Sequence, residues 1–200
     1  MSALHPTKEL LISTAFELSL IRPLSEITSD LVLEVSGISK GSLYHHFEDF
    51  GDLMEQVQVR ALSIFTDSQI QGLQELMASS KTKAEFLQGL RPISHGNRSP
   101  DVGAARLARI DSISKALSST RMREMKGPIQ QRITNAIAEI FREAIRRGWA
   151  NSDLDPMAVS VFLQSLNIGS VVDILAPTQV EPEAWFTLID LILSEVILDS

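Results

Sequence analysis

The sequence predicts an all-α protein, with a compact three-helix unit at its N-terminus and a larger helical domain behind it. Three observations predict this. Apolar residues recur every three or four positions along nearly every long segment, and no stretch alternates with the period of two that a half-buried strand requires. Three short helical segments, punctuated by Pro23 and Gly37, fit within the first fifty residues. Two later helices start at Asp155-Pro156 and Glu181-Pro182, where an acidic residue precedes a proline.

In chain order, the first helix is expected from about Thr7 to Leu20. Leu11, Ala15 and Leu18 share one face, with Ile12, Phe16 and Ser19 beside them. Thr28 or Ser29 can cap a second helix to about Val35, after which Gly37 tolerates a positive φ. Ser39 caps a third through about His45. A long fourth helix, from Glu48 or Phe50 to Met77, carries Leu53, Val57, Ala61, Ile64, Phe65, Ser68, Leu73 and Leu76 as a stripe. Lys83 to Leu90 reads as helix, and Arg91 to Pro100, with Pro92, Gly96, Asn97, His95 and Arg98, as a loop. Asp101 to Leu117 is helical again. Pro128 suits the first turn of the next helix, which Gly148 closes after Arg146 and Arg147.

The last two helices, to about Leu175 and Leu198, are apolar nearly all round. A core inside one chain is the plain reading, but so much apolar surface at the end of a chain points to a subunit interface. Phe162, Leu166, Val171, Trp185, Phe186, Ile189 and Leu193 are its expected members.

Composition narrows the function. With 44% hydrophobic residues the chain can bury a core, and with no cysteine it has no disulfide, thiolate metal site or cysteine nucleophile. No apolar run is long enough to span a bilayer and no signal pattern opens the sequence, so a cytoplasmic protein is expected. The net charge of −7 is unevenly placed: Lys and Arg are absent from 151–200, while Arg91 to Arg147 is basic. The first fifty residues hold only Lys8, Arg22 and Lys40 against seven carboxylates. No glycine-rich phosphate loop or Ser-His-Asp pattern appears, so an enzyme is not expected, nor a cofactor. His45 and His46 are adjacent on a helix and point about 100° apart, which is poor geometry for one metal ion.

The segment T-S-D-L-V-L-E-V-S-G-I-S-K-G-S-L-Y-H-H-F, Thr28 to Phe47, is a short helix, a glycine turn and a second short helix, the helix-turn-helix layout. Val32, Val35, Ile38, Leu43 and Phe47 are spaced for internal contacts. Ser39, Lys40, Ser42, Tyr44 and His45 are left for the outside, with groups suited to phosphates and base edges.

Here the sequence resembles the TetR family of transcriptional regulators. Gly37 to Phe47 closely matches that family's signature around its recognition helix, and the strong match spans Ile12 to Leu53, about a fifth of the chain. The resemblance implies that Ser29, Ser39 and Tyr44 contact phosphates and that Lys40, Gly41, Ser42 and His45 face the groove, with His46 near the DNA backbone. It implies residues 1–48 as a DNA-binding domain and residues 49–200 as a ligand-binding and dimerisation domain. Its partners are then a palindromic operator in double-stranded DNA, a small-molecule effector and a second copy of the chain. A repressor released by its effector is the family's usual mode. Two positions depart from the pattern: Asp49 and Phe50 stand where many relatives carry lysine, and Leu33 where a small residue is usual.

For the effector, Arg106 or Arg109 can pair with an anion. Asn135, Gln164 and Asn167 are polar residues in apolar helices, and Met122, Met125 and Met157 serve equally as core or as pocket lining. The rival is a helical interaction protein of the same fold that no longer binds DNA, favoured by the acidic N-terminal unit and the missing lysine.

Overall fold

The computed structural model describes residues 5–95, 100–169 and 172–198, with side chains except those of residues 94, 95, 100–106, 108, 167, 174 and 175. The described residues form nine α-helices and no strand. None of these helices is long and apolar enough to cross a membrane. The chain divides into two compact units, Met1–Phe65 and Thr66–Ser200.

The first unit holds α1 (Pro6–Ile21), α2 (Ser29–Ser36), α3 (Lys40–His46) and the first half of α4 (Phe50–Ser79). Each short helix is closed by local chemistry. The Nδ1 of His5 accepts the Thr7 N–H at 3.3 Å, with Pro6 in the first turn of α1. Thr28 Oγ1 accepts the Leu31 N–H at 3.2 Å to start α2, and Gly37 ends it in the left-handed region at φ 68°. Ser39 Oγ accepts the Ser42 N–H at 3.3 Å to start α3. Leu11, Ala15, Val32, Leu43 and Leu53 are fully buried and, with Phe47 and Val57, make one core. This core reaches beyond residue 48 because Leu53 and Val57 of α4 fill its floor. Arg60 of α4 donates to both carboxylate oxygens of Glu9 at 2.6 Å, tying α4 to α1.

Asp49 accounts for one departure from the family pattern. Its Oδ1 accepts the Asp52 N–H at 2.8 Å, and the Asp52 carboxylate accepts the Glu48 N–H at 3.1 Å. Two acids thus satisfy N–H groups at the start of α4, where the helix dipole favours negative charge.

The second unit holds the rest of α4, then α5 (Lys83–His95), α6 (Pro100–Ser118), α7 (Thr120–Arg146), α8 (Pro156–Gly169) and α9 (Pro182–Leu191). Its core gathers Phe86, Phe141, Ala144, Ile189, Leu193 and Leu198 with neighbours from α4, α5, α7 and α8. Helices α6, α7 and α8 all pack against one another. Gly89 lets α5 approach α4, since a Cβ there would meet Leu76 Cδ1 at 2.1 Å. At the end of α7 the N–H of Gly148 (φ 69°) bonds to Ile145 O and that of Trp149 to Ala144 O, a Schellman closure. The Arg147 guanidinium reaches the Met77 and Ser80 carbonyls at 3.0 and 3.1 Å, satisfying acceptors at the end of α4. Hydrogen bonds from Arg147, then Arg146, hold the Glu143 carboxyl below its ordinary pKa.

Several expectations need correction. The expected loop from Arg91 onward is helix as far as His95, with Pro92 inside it and Arg91 paired to Asp190 at 3.2 Å; residues 96–99, including Arg98, lie outside the described residues. Pro128 is inside α7, which starts at Thr120. Met122, Lys126, Ile129 and Ile133 are buried along one face of α7, and their packing outweighs the roughly 3 kcal/mol that an interior proline costs. Helix α8 stops at Gly169, with a 3-10 turn at Val172–Leu175, and α9 passes into a π-helical turn at Ile192–Ile197. Val35 was expected inside and is 57% exposed; Ile64 and Phe65, expected in the α4 stripe, are exposed too.

Candidate functional site

Helix α3 has seven residues, and its inner face is set by Leu43, with Phe47 just past its end, both buried. That leaves Lys40, Gly41, Tyr44 and His45, at spacings of one and four, on the opposite face. All four are exposed, Tyr44 to 47%. Ser39 is exposed at the helix start and Ser42 is half-buried, while Ser29 is half-buried at the start of α2. A Cβ added at Gly41 would meet nothing within 4 Å. The DNA-facing residues expected from the sequence are thus gathered on or beside α3, except Ser29, which stands on the neighbouring helix.

His46 is half-buried behind this face. Its ring lies 4.7 Å from that of His5 and 5.0 Å from that of His45. Partial burial, then the neighbouring His5, His45 and Lys8, lower its pKa from the ordinary 6.5. Lys8 lies over the Phe47 ring at 5.1 Å. Among the described residues no group of three or more His, Cys, Asp or Glu is placed to hold a metal ion.

The residues expected to meet an effector separate. Gln164 of α8 and Arg109 of α6 come together through Gln130 of α7. Arg109 donates to Gln130 Oε1 at 3.4 Å, and Gln130 Nε2 donates to Gln164 Oε1 at 2.7 Å. Gln164 Nε2 donates in turn to Thr134 Oγ1 and Ser160 Oγ, and the buried Ser160 hydroxyl donates to the Thr134 carbonyl at 2.8 Å. One turn earlier on α7, buried Lys126 donates to Ser112 Oγ of α6 at 2.7 Å. Burial lowers the Arg109 pKa, though a guanidinium stays charged. Met122 is buried, and Asn135 is exposed and accepts from Gln131 at 2.7 Å, outside this network. The side chains of Arg106 and Asn167 lie outside the described residues. The sequence reading missed Lys126, Gln130 and Thr134; their i, i+4 spacing on one face of an amphipathic helix was the available signal. A surface depression of 310 Å³ lined by Leu76, Ser79, Ser80, Glu85, Gln88 and Gly89 contains none of these residues. Its flat geometry and lack of charged donors make it the poorer ligand site.

Of the expected interface residues, Phe162 is exposed and Leu166, Trp185 and Phe186 are half-buried. Ile189 and Leu193 are each 1% exposed, in the core of their own unit, so they support a surface and do not form one. Val171 lies outside the described residues. Beside Phe162, the same elements expose Val161, Leu188, Leu191 and Val196.

No protein-family model matches the sequence, and no curated protein matches it. Solved structures do. A protein from Saccharomonospora viridis described as a transcriptional regulator, determined in complex with choline, is 14% identical with a TM-score of 0.62, over 96% of this chain and 98% of that one. A protein from Rhodococcus sp. described as a TetR-family transcriptional regulator is 18% identical with a TM-score of 0.60, over 96% and 98%. The reduced form of E. coli NemR is 18% identical with a TM-score of 0.57, over 97% and 99%. Similarity at this identity and coverage speaks to architecture, end to end: the chain has the fold of the TetR-family transcriptional regulators.

Proposed function

We propose that the chain is a DNA-binding transcriptional regulator that acts as a homodimer and places α3 in the major groove. The observation that carries this is the outer face of α3. Lys40, Tyr44 and His45 are exposed on a helix locked from behind by Leu43 and Phe47, with Gly41 open between them. An ammonium, a phenol and an imidazole are suited to phosphates and base edges. The exposed Val161, Phe162, Leu188, Leu191 and Val196 support self-association, which would present two copies of α3 to a palindromic site. Residues 1–48 carry the DNA contacts and residues 49–200 the ligand and the second copy.

The reading extends to a repressor released by a small molecule. Helix α4 runs from one compact unit into the other, so a ligand among the helices of the second unit can bias α4 and with it the spacing of the paired α3 helices. It does so only through its different affinity for the two states. The polar seam between α6, α7 and α8 is the proposed place. A choline-like cation does not suit it, because Arg109 already brings positive charge there.

A second reading is favoured by one observation: the first unit carries four Lys and Arg against nine carboxylates. A helical interaction protein of this fold that has given up DNA would look so. Selection of bound duplexes from a random pool, then titration at two salt concentrations, separates the two. The regulator reading expects a palindromic site and affinity that falls steeply with salt. In that assay Lys40→Ala, which removes a groove-facing ammonium, should weaken binding to the selected site and lower the salt dependence of its affinity. No enrichment by a folded dimer would leave the interaction reading standing.

A further inference from the structure

We propose that the seam between α6, α7 and α8 is a binding site for a small organic carboxylate, with Arg109 as the residue that takes its charge; this rests on the effector reading above. Arg109 is half-buried, and its hydrogen bond among the described residues is one long contact, 3.4 Å, to the neutral Gln130 amide. Asp111, two residues on, is engaged by Lys115 at 2.7 Å. A guanidinium partly withdrawn from water and given only the amide oxygen of the exposed Gln130 has, among the described residues, no opposite charge beside it, which a structural ion pair would supply. A second cation, Lys126, is buried in the same seam one turn away.

The neutral groups around Arg109 suit a ligand better than they suit a structural ion pair. Gln130 and Gln164 present amides that can donate or accept, and each is anchored from behind by Thr134 or Ser160. A carboxylate would replace Gln130 Oε1 as acceptor, exchanging one long contact for the two parallel bonds that a guanidinium fork makes. The freed Gln130 amide stays tied to Gln164 and Thr134. A planar carboxylate matches this arrangement, because the guanidinium fork of Arg109 pairs with two carboxylate oxygens while the amides beside it add no opposing charge.

The test is thermal unfolding of the full chain with acetate, benzoate, salicylate and octanoate, each against its primary amide. At least one carboxylate should raise the unfolding temperature more than its amide does, by the mass action of binding to the folded state. Arg109→Met should lose that difference. Gln130→Glu sets a carboxylate beside Arg109 within the chain, so it should raise the unfolding temperature without ligand and abolish the response to added carboxylate. Equal shifts for acid and amide throughout the set, or an undiminished response in Gln130→Glu, would overturn the proposal. No DNA enters this assay. Duplex selection that succeeds while every carboxylate fails sinks the site alone, and a carboxylate response without duplex selection sinks the regulator reading alone.

Discussion

The two units of this chain solve the problem of a small helical fold differently. In Met1–Phe65 three helices of 16, 8 and 7 residues are each ended by a residue next to them in sequence, and one small apolar core holds them. In Thr66–Ser200 the complete helices run from 10 to 27 residues, and two of them hold Pro92 and Pro128 inside. Local caps act here too, Thr82 at α5, Ser119 at α7 and Asp155 at α8, but the end of α4 also takes a distant partner, Arg147. Local punctuation thus marks both units, and in the part proposed to sense a ligand long-range packing is added to it and overrides it at Pro92 and Pro128.

The sharpest way to break this contrast is Leu43→Ala. Leu43 is the fully buried anchor of α3, and its loss should cost about 2–5 kcal/mol. Denaturant unfolding followed by near- and far-ultraviolet circular dichroism should show the loss in the first unit. A cost under about 1 kcal/mol would mean that the caps alone hold α3. The counterpart in the second unit is Gly89→Ala. The new Cβ would press on Leu76 and cost about 1–3 kcal/mol, unless that side chain finds another rotamer. A crystal structure of the variant with α4 and α5 unmoved would show that the close approach is not needed.

Acid should separate the units more gently. The imidazole of His46 binds its proton less readily folded than unfolded, so the unfolded chain takes up protons first as pH falls below 6.5. Stability of the first unit is complete above that value and declines until the lowered folded value is passed. In the second unit Glu143 is likewise depressed, but from 4.5, so its contribution declines only in a more acidic window. Urea midpoints measured from neutral pH down to about pH 4 should show the first decline, and His46→Gln should flatten it. An unchanged midpoint between neutral pH and about pH 5 would remove the histidine cluster from the account.

The same contrast explains what could be read without coordinates. Helices α1, α2 and α3 end within about a residue or two of their expected bounds because Pro23, Thr28, Gly37 and Ser39 act where they stand. The outward residues of α3 follow from the burial of Leu43 and Phe47 alone. Pro128 misled because its preference for a helix start is local, and the buried face from Met122 to Ile133 overrides it. Val35 misled because α2 has one buried position, Val32, and too few neighbours to cover a second. The Arg109–Gln130–Gln164 network joins residues up to 55 positions apart on three helices, which periodicity within one helix does not reveal.

The open space around Gly41 sets folding and recognition against each other at a single atom. Nothing in the chain would touch a methyl group there, and alanine is the better helix former by up to about 1 kcal/mol. The folded chain taken alone therefore gains from Gly41→Ala. If the glycine persists for a reason, that reason lies outside the molecule, in whatever body must come closer to the α3 backbone than a methyl group permits. A variant that is more stable and yet binds duplex less well would measure the thickness of that contact; one that is more stable and binds as before would place the DNA farther off.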